Sequence, residues 1–270
     1  SPEDLKSLDP SKYGELAEEI RQFLIEKVSE HGGHLASNLG VVELTIALHL
    51  ALDLPEDKII WDVGHQSYTH KLLSGRREDF ETLREYKGMS GFPKRRESDY
   101  DCFDTGHSST SISAGLGLVE ARDRMHEHYT VAAVIGDGAL SGGMAYEALN
   151  NASRLKSNYM IILNDNEMSI SESTGGFSRY LSKFRVGSGY NNLKRDVSRS
   201  LSKVPGVGES LVENISRAKM VLKQMMVPGM FFENLDITYV GPIDGHDISA
   251  MVRIFKEAKK IDRPILIHVK

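Results

Sequence analysis

Two runs of core-type residues, TVAAVI at 130–135 and YMIIL at 159–163, are each followed at once by a polar cluster, Gly136-Asp137-Gly138 and Asn164-Asp165-Asn166. Continuous apolar runs of five or six residues read as strands buried on both faces, the habit of parallel sheets. Between them, residues 142–154 begin with small side chains and carry Met144, Ala148, Leu149 and Ala152 at helical spacing. A strand, loop, helix and strand in that order put both clusters at C-terminal strand ends, where open parallel sheets bind ligands. Asp137 and Asn166 are then neighbours, offering one carboxylate and one amide oxygen, donors suited to a hard cation. Mg²⁺ completes such a partial set with water and phosphate oxygens, so the pair implies a phosphorylated ligand.

Two rivals fit part of the same pattern. The run from Gly136 to Ser141 is close to a G-x-G-x-x-G dinucleotide fingerprint, but an aspartate between the glycines repels a pyrophosphate unless a cation intervenes. A tight turn with Asp137 as helix N-cap explains Gly136 and Gly138 and leaves Asn166 unexplained.

The flanks are more specific. GDGALSGGMAYEALNNA at 136–152 and LNDNEMSIS at 163–171 resemble the 1-deoxy-D-xylulose-5-phosphate synthase family of thiamine diphosphate enzymes. Five further blocks are similar to that family's, in its order: 33–44, 61–71, 90–95, 106–111 and 241–247. Asp104 departs from it, standing where a small residue is expected.

The resemblance implies thiamine diphosphate held through Mg²⁺, with Asp137, Asn166 and the Met168 carbonyl as metal ligands. It places Gly138 and Ala139 against the diphosphate, His65, Gly106, His107, Ser108 and Tyr239 at the cofactor, and His34 and His246 as proton-transfer or substrate-positioning groups. The implied reaction condenses pyruvate with D-glyceraldehyde 3-phosphate, with loss of CO₂, to 1-deoxy-D-xylulose 5-phosphate. The run 106–111 has a physical reading of its own: four consecutive hydroxyl residues open a helix whose free N–H groups suit a phosphate.

The rest of the chain alternates strand and helix, which predicts a doubly wound, mostly parallel α/β sheet. Helices are expected at 13–28, with Asp9 or Ser11 as cap, and at 41–52, 110–122, 209–226 and 247–260; strands are expected at 58–63, 237–240 and 264–269. The helix at 110–122 is rich in Ala and Gly, as close packing against a sheet or ligand requires. Residues 171–208 break the rhythm with glycines and seven cations, and read as a lid or a flexible excursion. His49 and His268 read as structural, and Cys102 as an ordinary thiol.

Size and composition suit one large domain over residues 1–270, and a net charge of −5 argues against non-specific nucleic-acid binding. A single cysteine and the lack of a long apolar run suggest a soluble cytoplasmic protein. The family's pyrimidine-binding domain, with its cofactor-binding glutamate, has no counterpart before Lys270. The expectation is therefore a truncation, a proteolytic fragment or a split subunit, holding half an active site and associating as a homodimer or with the absent domains. A split transketolase-like subunit and a non-catalytic cofactor-binding module are the competing readings.

Overall fold

The computed structural model describes residues 2–165 and 230–270. Five strands, β1 (Lys58–Trp61), β2 (Val131–Gly136), β3 (Tyr159–Asn164), β4 (Thr238–Ile243) and β5 (Pro264–Val269), form a wholly parallel sheet in the order β1-β2-β3-β5-β4. The described α-helices are α1 (Pro2–Ser7), α2 (Tyr13–His31), α3 (Leu35–Leu39), α4 (Val42–Ala51), α5 (Tyr68–Leu73), α6 (Ser111–Met125), α7 (Asp137–Leu140), α8 (Gly143–Ala152), α9 (Met230–Glu233) and α10 (Ile248–Ala258). The doubly wound α/β architecture is as expected.

Crossover handedness explains why both faces are covered. A right-handed connection stepping one way along a sheet puts its helix on one face, and a step the other way puts it on the opposite face. The steps β1 to β2 and β2 to β3 run one way and β4 to β5 the other. Accordingly α6 and α8 pack on Val131, Ala133, Ile135, Ile161 and Leu163, while α10, with α2, α4 and α5, packs on Ala132, Val134, Met160, Ile162 and Ile267. Alternate residues of a strand point to opposite faces. With both faces buried, neither alternation partner is polar, which produces the unbroken apolar runs. Each fully buried aliphatic side chain contributes about 1.5–3 kcal/mol.

The small residues of α6 serve the sheet. A Cβ at Gly115 would lie 2.3 Å from the Tyr159 hydroxyl, which donates to the Ile112 carbonyl at 2.8 Å. Side-chain volume at that helix position would displace a fully buried tyrosine.

Several expected boundaries move. The helix expected at 13–28 runs on to His31 and ends at Gly32, whose φ of 75° suits glycine. Asp9 caps a 3₁₀ turn, Pro10–Lys12, by accepting from the Ser11 N–H, and α2 itself has no side-chain cap. The first strand stops at Trp61, since Val63 takes a φ of 60°, far from extended backbone. The strand expected at 237–240 continues to Ile243 with a register irregularity after Val240. Helices α3 and α5, five and six residues long, are too short to show a helical repeat in sequence. The expected helix at 209–226 and the segment 171–208 lie outside the described residues.

Candidate functional site

β2 and β3 are in register to their ends, where Gly136 pairs with Asn164. The chain therefore leaves both strands at one level, through Asp137 and Asp165. Asp137 is buried and is the first residue of α7; the cap position belongs to Gly136, so the reading of Asp137 as N-cap is corrected. A Cβ at Gly136, Gly138 or Gly106 would meet nothing within 4 Å, whereas one at Gly142 would lie 2.1 Å from Ser109 Oγ. Gly142 answers a packing demand. The other three leave backbone bare beside open space, as close approach of a diphosphate requires. Asn166 and Met168 lie outside the described residues.

The hydroxyl run is used differently from the expectation. Asp62, buried at the end of β1, accepts from the N–H groups of Ser109 at 2.8 Å and Ser111 at 3.0 Å. Ser109 Oγ donates to the Ala139 carbonyl at 2.7 Å, and Thr110 Oγ1 to that of His107 at 3.1 Å. Two N–H groups that the sequence offered to a phosphate thus serve a carboxylate, and the run pins α6 to the tips of β1 and β2. Gly106, His107 and Ser108 stay exposed on this edge. Sequence reasoning missed Asp62; its signal was an acid immediately after a strand.

His34, at the start of α3, and His65, in the loop after β1, meet edge to face with centroids 5.3 Å apart, and Phe92 lies 6.0 Å from His34. Asn38, also missed, joins the two loops. Its wholly buried amide donates to the carbonyls of His34 (2.7 Å) and His65 (2.8 Å) and accepts from the Tyr68 N–H (2.8 Å). Burial lowers the pKa of both imidazoles; Arg84 adds to this for His34, and His34 adds to it for His65, with Asp62 opposing. Both effects favour the uncharged form of the rings.

His246 stands apart from that pair. Its exposed ring puts Nδ1 3.4 Å from Glu43 of α4, a buried carboxylate that Arg21 also engages. It shares a cleft of about 380 Å³ with Gly40, Asn164 and Asp165, so it lies on the same sheet edge as the tip of β3. Tyr239, expected at the cofactor, has its hydroxyl 2.9 Å from His268 Nδ1 and its ring stacked on Phe232. His268 Nε2 in turn lies 3.1 Å from Asp165. With a carboxylate at one end, the consistent tautomer has the phenol donating to Nδ1 and Nε2–H donating to Asp165. His49 is likewise internal, 2.9 Å from His70.

Other groups carry less chemistry. Burial pushes the Cys102 thiol up to about 11, and its Sγ donates to the Ile59 carbonyl, so it is a poor nucleophile at neutral pH. Asp104 accepts from the Arg95 N–H at the surface. Glu30, His31 and Glu81 offer ligand atoms within 4.8 Å of one another, but the Lys27 ammonium already sits between the two carboxylates, at 3.1 and 2.8 Å. A cleft of about 730 Å³ lined by Asp57, Thr130 and Asn158 opens at the opposite, N-terminal strand edge and contains none of the expected site residues. Among the described residues no helix is long and apolar enough to cross a membrane.

Comparison with known proteins accords with this geometry. A family model described as 1-deoxy-D-xylulose-5-phosphate synthase matches residues 1–270. The 1-deoxy-D-xylulose-5-phosphate synthase of Lachnoclostridium phytofermentans is 59% identical over 267 residues, covering 99% of this chain and 43% of that protein. That of Clostridium beijerinckii is 58% identical over 268 residues, covering 99% and 43%. The chain thus spans less than half the length of these relatives. Among solved structures, transketolase from Campylobacter jejuni has a TM-score of 0.67 at 19% identity, covering 97% of this chain and 38% of that one. A Pichia stipitis transketolase has a TM-score of 0.69 at 19% identity, covering 96% and 36%. At such identities the likeness is one of fold. The family match over all 270 residues, together with relatives at 58–59% identity, shows that the chain belongs to the 1-deoxy-D-xylulose-5-phosphate synthase family.

Proposed function

We propose that this chain holds the diphosphate and Mg²⁺ of thiamine diphosphate for an enzyme that joins pyruvate to D-glyceraldehyde 3-phosphate, releasing CO₂ and forming 1-deoxy-D-xylulose 5-phosphate. The observation that carries the reading is the level ending of β2 and β3, with Asp137 at the tip and open space beside Gly136 and Gly138. Asp137 would ligate the ion with Asn166 and the Met168 carbonyl. The backbone at Gly138 and Ala139, with Gly106, His107 and Ser108, would face the diphosphate. When bound, the cofactor supplies the electron sink that the decarboxylation needs.

The chain's own residues manage position and protons. Joining the fragments consumes one proton, because the aldehyde oxygen of the acceptor becomes a hydroxyl. An imidazole that takes up a proton near neutral pH can hand it to that oxygen and return to its neutral form, which suits His34, with His65 packed against it. His246 takes the facing role from the β4 side. Tyr239 would contact the cofactor from β4, and its hydroxyl is tied through His268 to Asp165 at the tip of β3. The other half of the cofactor is assigned to a separate pyrimidine-binding domain or to a second protomer.

Titration calorimetry with thiamine diphosphate, run with and without Mg²⁺, tests the reading. Metal-dependent heat is expected; its absence would remove the diphosphate site. Supplying pyruvate and glyceraldehyde 3-phosphate to the protein joined with a pyrimidine-binding domain then separates a synthase from a module that merely retains the cofactor.

A further inference from the structure

We infer that Glu97 and Asp101 are positioning residues, a half-buried and a buried carboxylate that suspend residues 90–94 so that Phe92 and Pro93 wall in His34 and His65. The inference rests on reading those histidines as site groups. Glu97 Oε1 accepts from the Ser90 N–H at 2.8 Å, and Asp101 Oδ2 from the Lys94 N–H at 2.8 Å, one anchor at each end of the segment. Between the anchors, Phe92 packs on the His34 ring. Pro93 packs on the backbone just before His65, since a Cβ at Gly64 would lie 2.5 Å from its Cδ.

Both anchors are themselves held. Arg76 grips Asp101 with two hydrogen bonds of 2.7 and 2.9 Å, and His70 Nε2 lies 3.2 Å from it. Burial works against ionisation of Asp101, and His70 and Arg76 overcome it, holding the carboxyl well below its usual range. Lys71, with no exposed side-chain surface, reaches Glu97 at 2.6 Å. Replacing a buried ion pair by apolar side chains is often neutral or stabilising, so stability alone does not account for this cluster of four charges, three of them buried. What they supply is two strong acceptors at fixed points.

A wall that excludes water keeps imidazole uncharged. The charged and titratable groups facing His34 are His65, Arg84 and the Tyr68 hydroxyl, and those facing His65 are His34 and Asp62. None belongs to the suspended segment. Gly91 of the segment lies against Arg84 and the Tyr68 hydroxyl, so moving the whole segment alters both the hydration of the rings and the setting of Arg84, whereas truncating Phe92 alone alters hydration.

Histidine-selective NMR titration of the 270-residue chain tests this without any turnover. Glu97→Ala removes one anchor. Glu97→Gln combined with Lys71→Met keeps an acceptor for Ser90 and discards the charges. Phe92→Ala removes the wall and leaves the network intact. The midpoints of His34 and His65 should rise by about half a pH unit or more, toward the ordinary 6.5, in Glu97→Ala and Phe92→Ala. They should stay in place in the double variant, which lacks the Lys71–Glu97 charges and keeps the Arg76–Asp101 pair. Unmoved midpoints in Phe92→Ala overturn the inference, as does a double variant that moves them as far as Glu97→Ala. Should Glu97→Ala fail to fold, Phe92→Ala supplies the reference: unmoved midpoints there, or a double variant that moves them as far as Phe92→Ala does, overturn the inference. Because cofactor heat is measured separately, loss of the functional reading and loss of this one are distinguishable.

Discussion

The turn after β2 and the histidine wall beside β1 stand at the same sheet edge and are built in opposite ways. In the turn, Ser141 Oγ donates to the Gly138 carbonyl and the Gly142 N–H to that of Ala139, each three residues back, with Ser109 as the distant tie. In the wall, the partners are far apart in the chain: Asn38 with His65, Lys71 with Glu97, Arg76 with Asp101. A turn made of consecutive residues states its chemistry in consecutive letters. The protonation of a histidine is set by whatever the fold packs around it.

If the wall depends on its anchors, Asp101→Ala should have the largest effect. It leaves Arg76 and His70 buried without their carboxylate, a loss of about 3–5 kcal/mol in denaturant unfolding. A loss below about 1 kcal/mol would show that the wall stands without that anchor. The turn should respond conversely. Asp137→Ala is expected to reduce Mg²⁺-dependent thiamine diphosphate affinity at least about 100-fold while barely moving the unfolding midpoint. Retained affinity in calorimetry would take Asp137 out of the site.

Acid separates the two regions again. His49 and His70 are buried, and desolvation comes first among the causes that lower both, with their mutual repulsion added for His49. The unfolded chain then binds more protons below about pH 6.5. Their stabilisation is complete above that value and is lost as pH falls toward the folded-state values, by at most about 1.4 kcal/mol per pH unit for each ring. Asp101, held low, adds its own loss only as pH drops through the ordinary carboxylate range. Urea titrations between pH 7.5 and about 5 should show this slope, and His49→Gln should flatten it. The smallest effect belongs to Ser109→Ala, which removes the tie to Ala139 and should cost about 1 kcal/mol. A null result in urea unfolding would mean that Asp62 alone holds the loop.

The parallel sheet and the polar tips of β2 and β3 were legible because burial on both faces leaves an unambiguous apolar run. The strand at Pro264–Val269 was legible to the residue for the same reason. Less was legible where a residue's partner lies elsewhere. Ser109 and Ser111 read as phosphate donors until Asp62, 47 and 49 residues away, takes their N–H groups. The sequence gives no sign that the Tyr239 hydroxyl pairs with His268, 29 residues on. Short helices such as α3 escaped because five residues do not complete two turns.

By itself, then, the sequence determined the layered architecture and the family, since local hydrophobic pattern and contiguous motifs settle both of these. Only the tertiary structure decided that His34 and His65 stand together where burial lowers the pKa of both, that Asn38 joins their loops and that the carboxylates of Glu97 and Asp101 hang Phe92 over them. Desolvation and hydrogen-bond partnership depend on distance in space, and residues dozens of positions apart acquire that distance only when the chain folds.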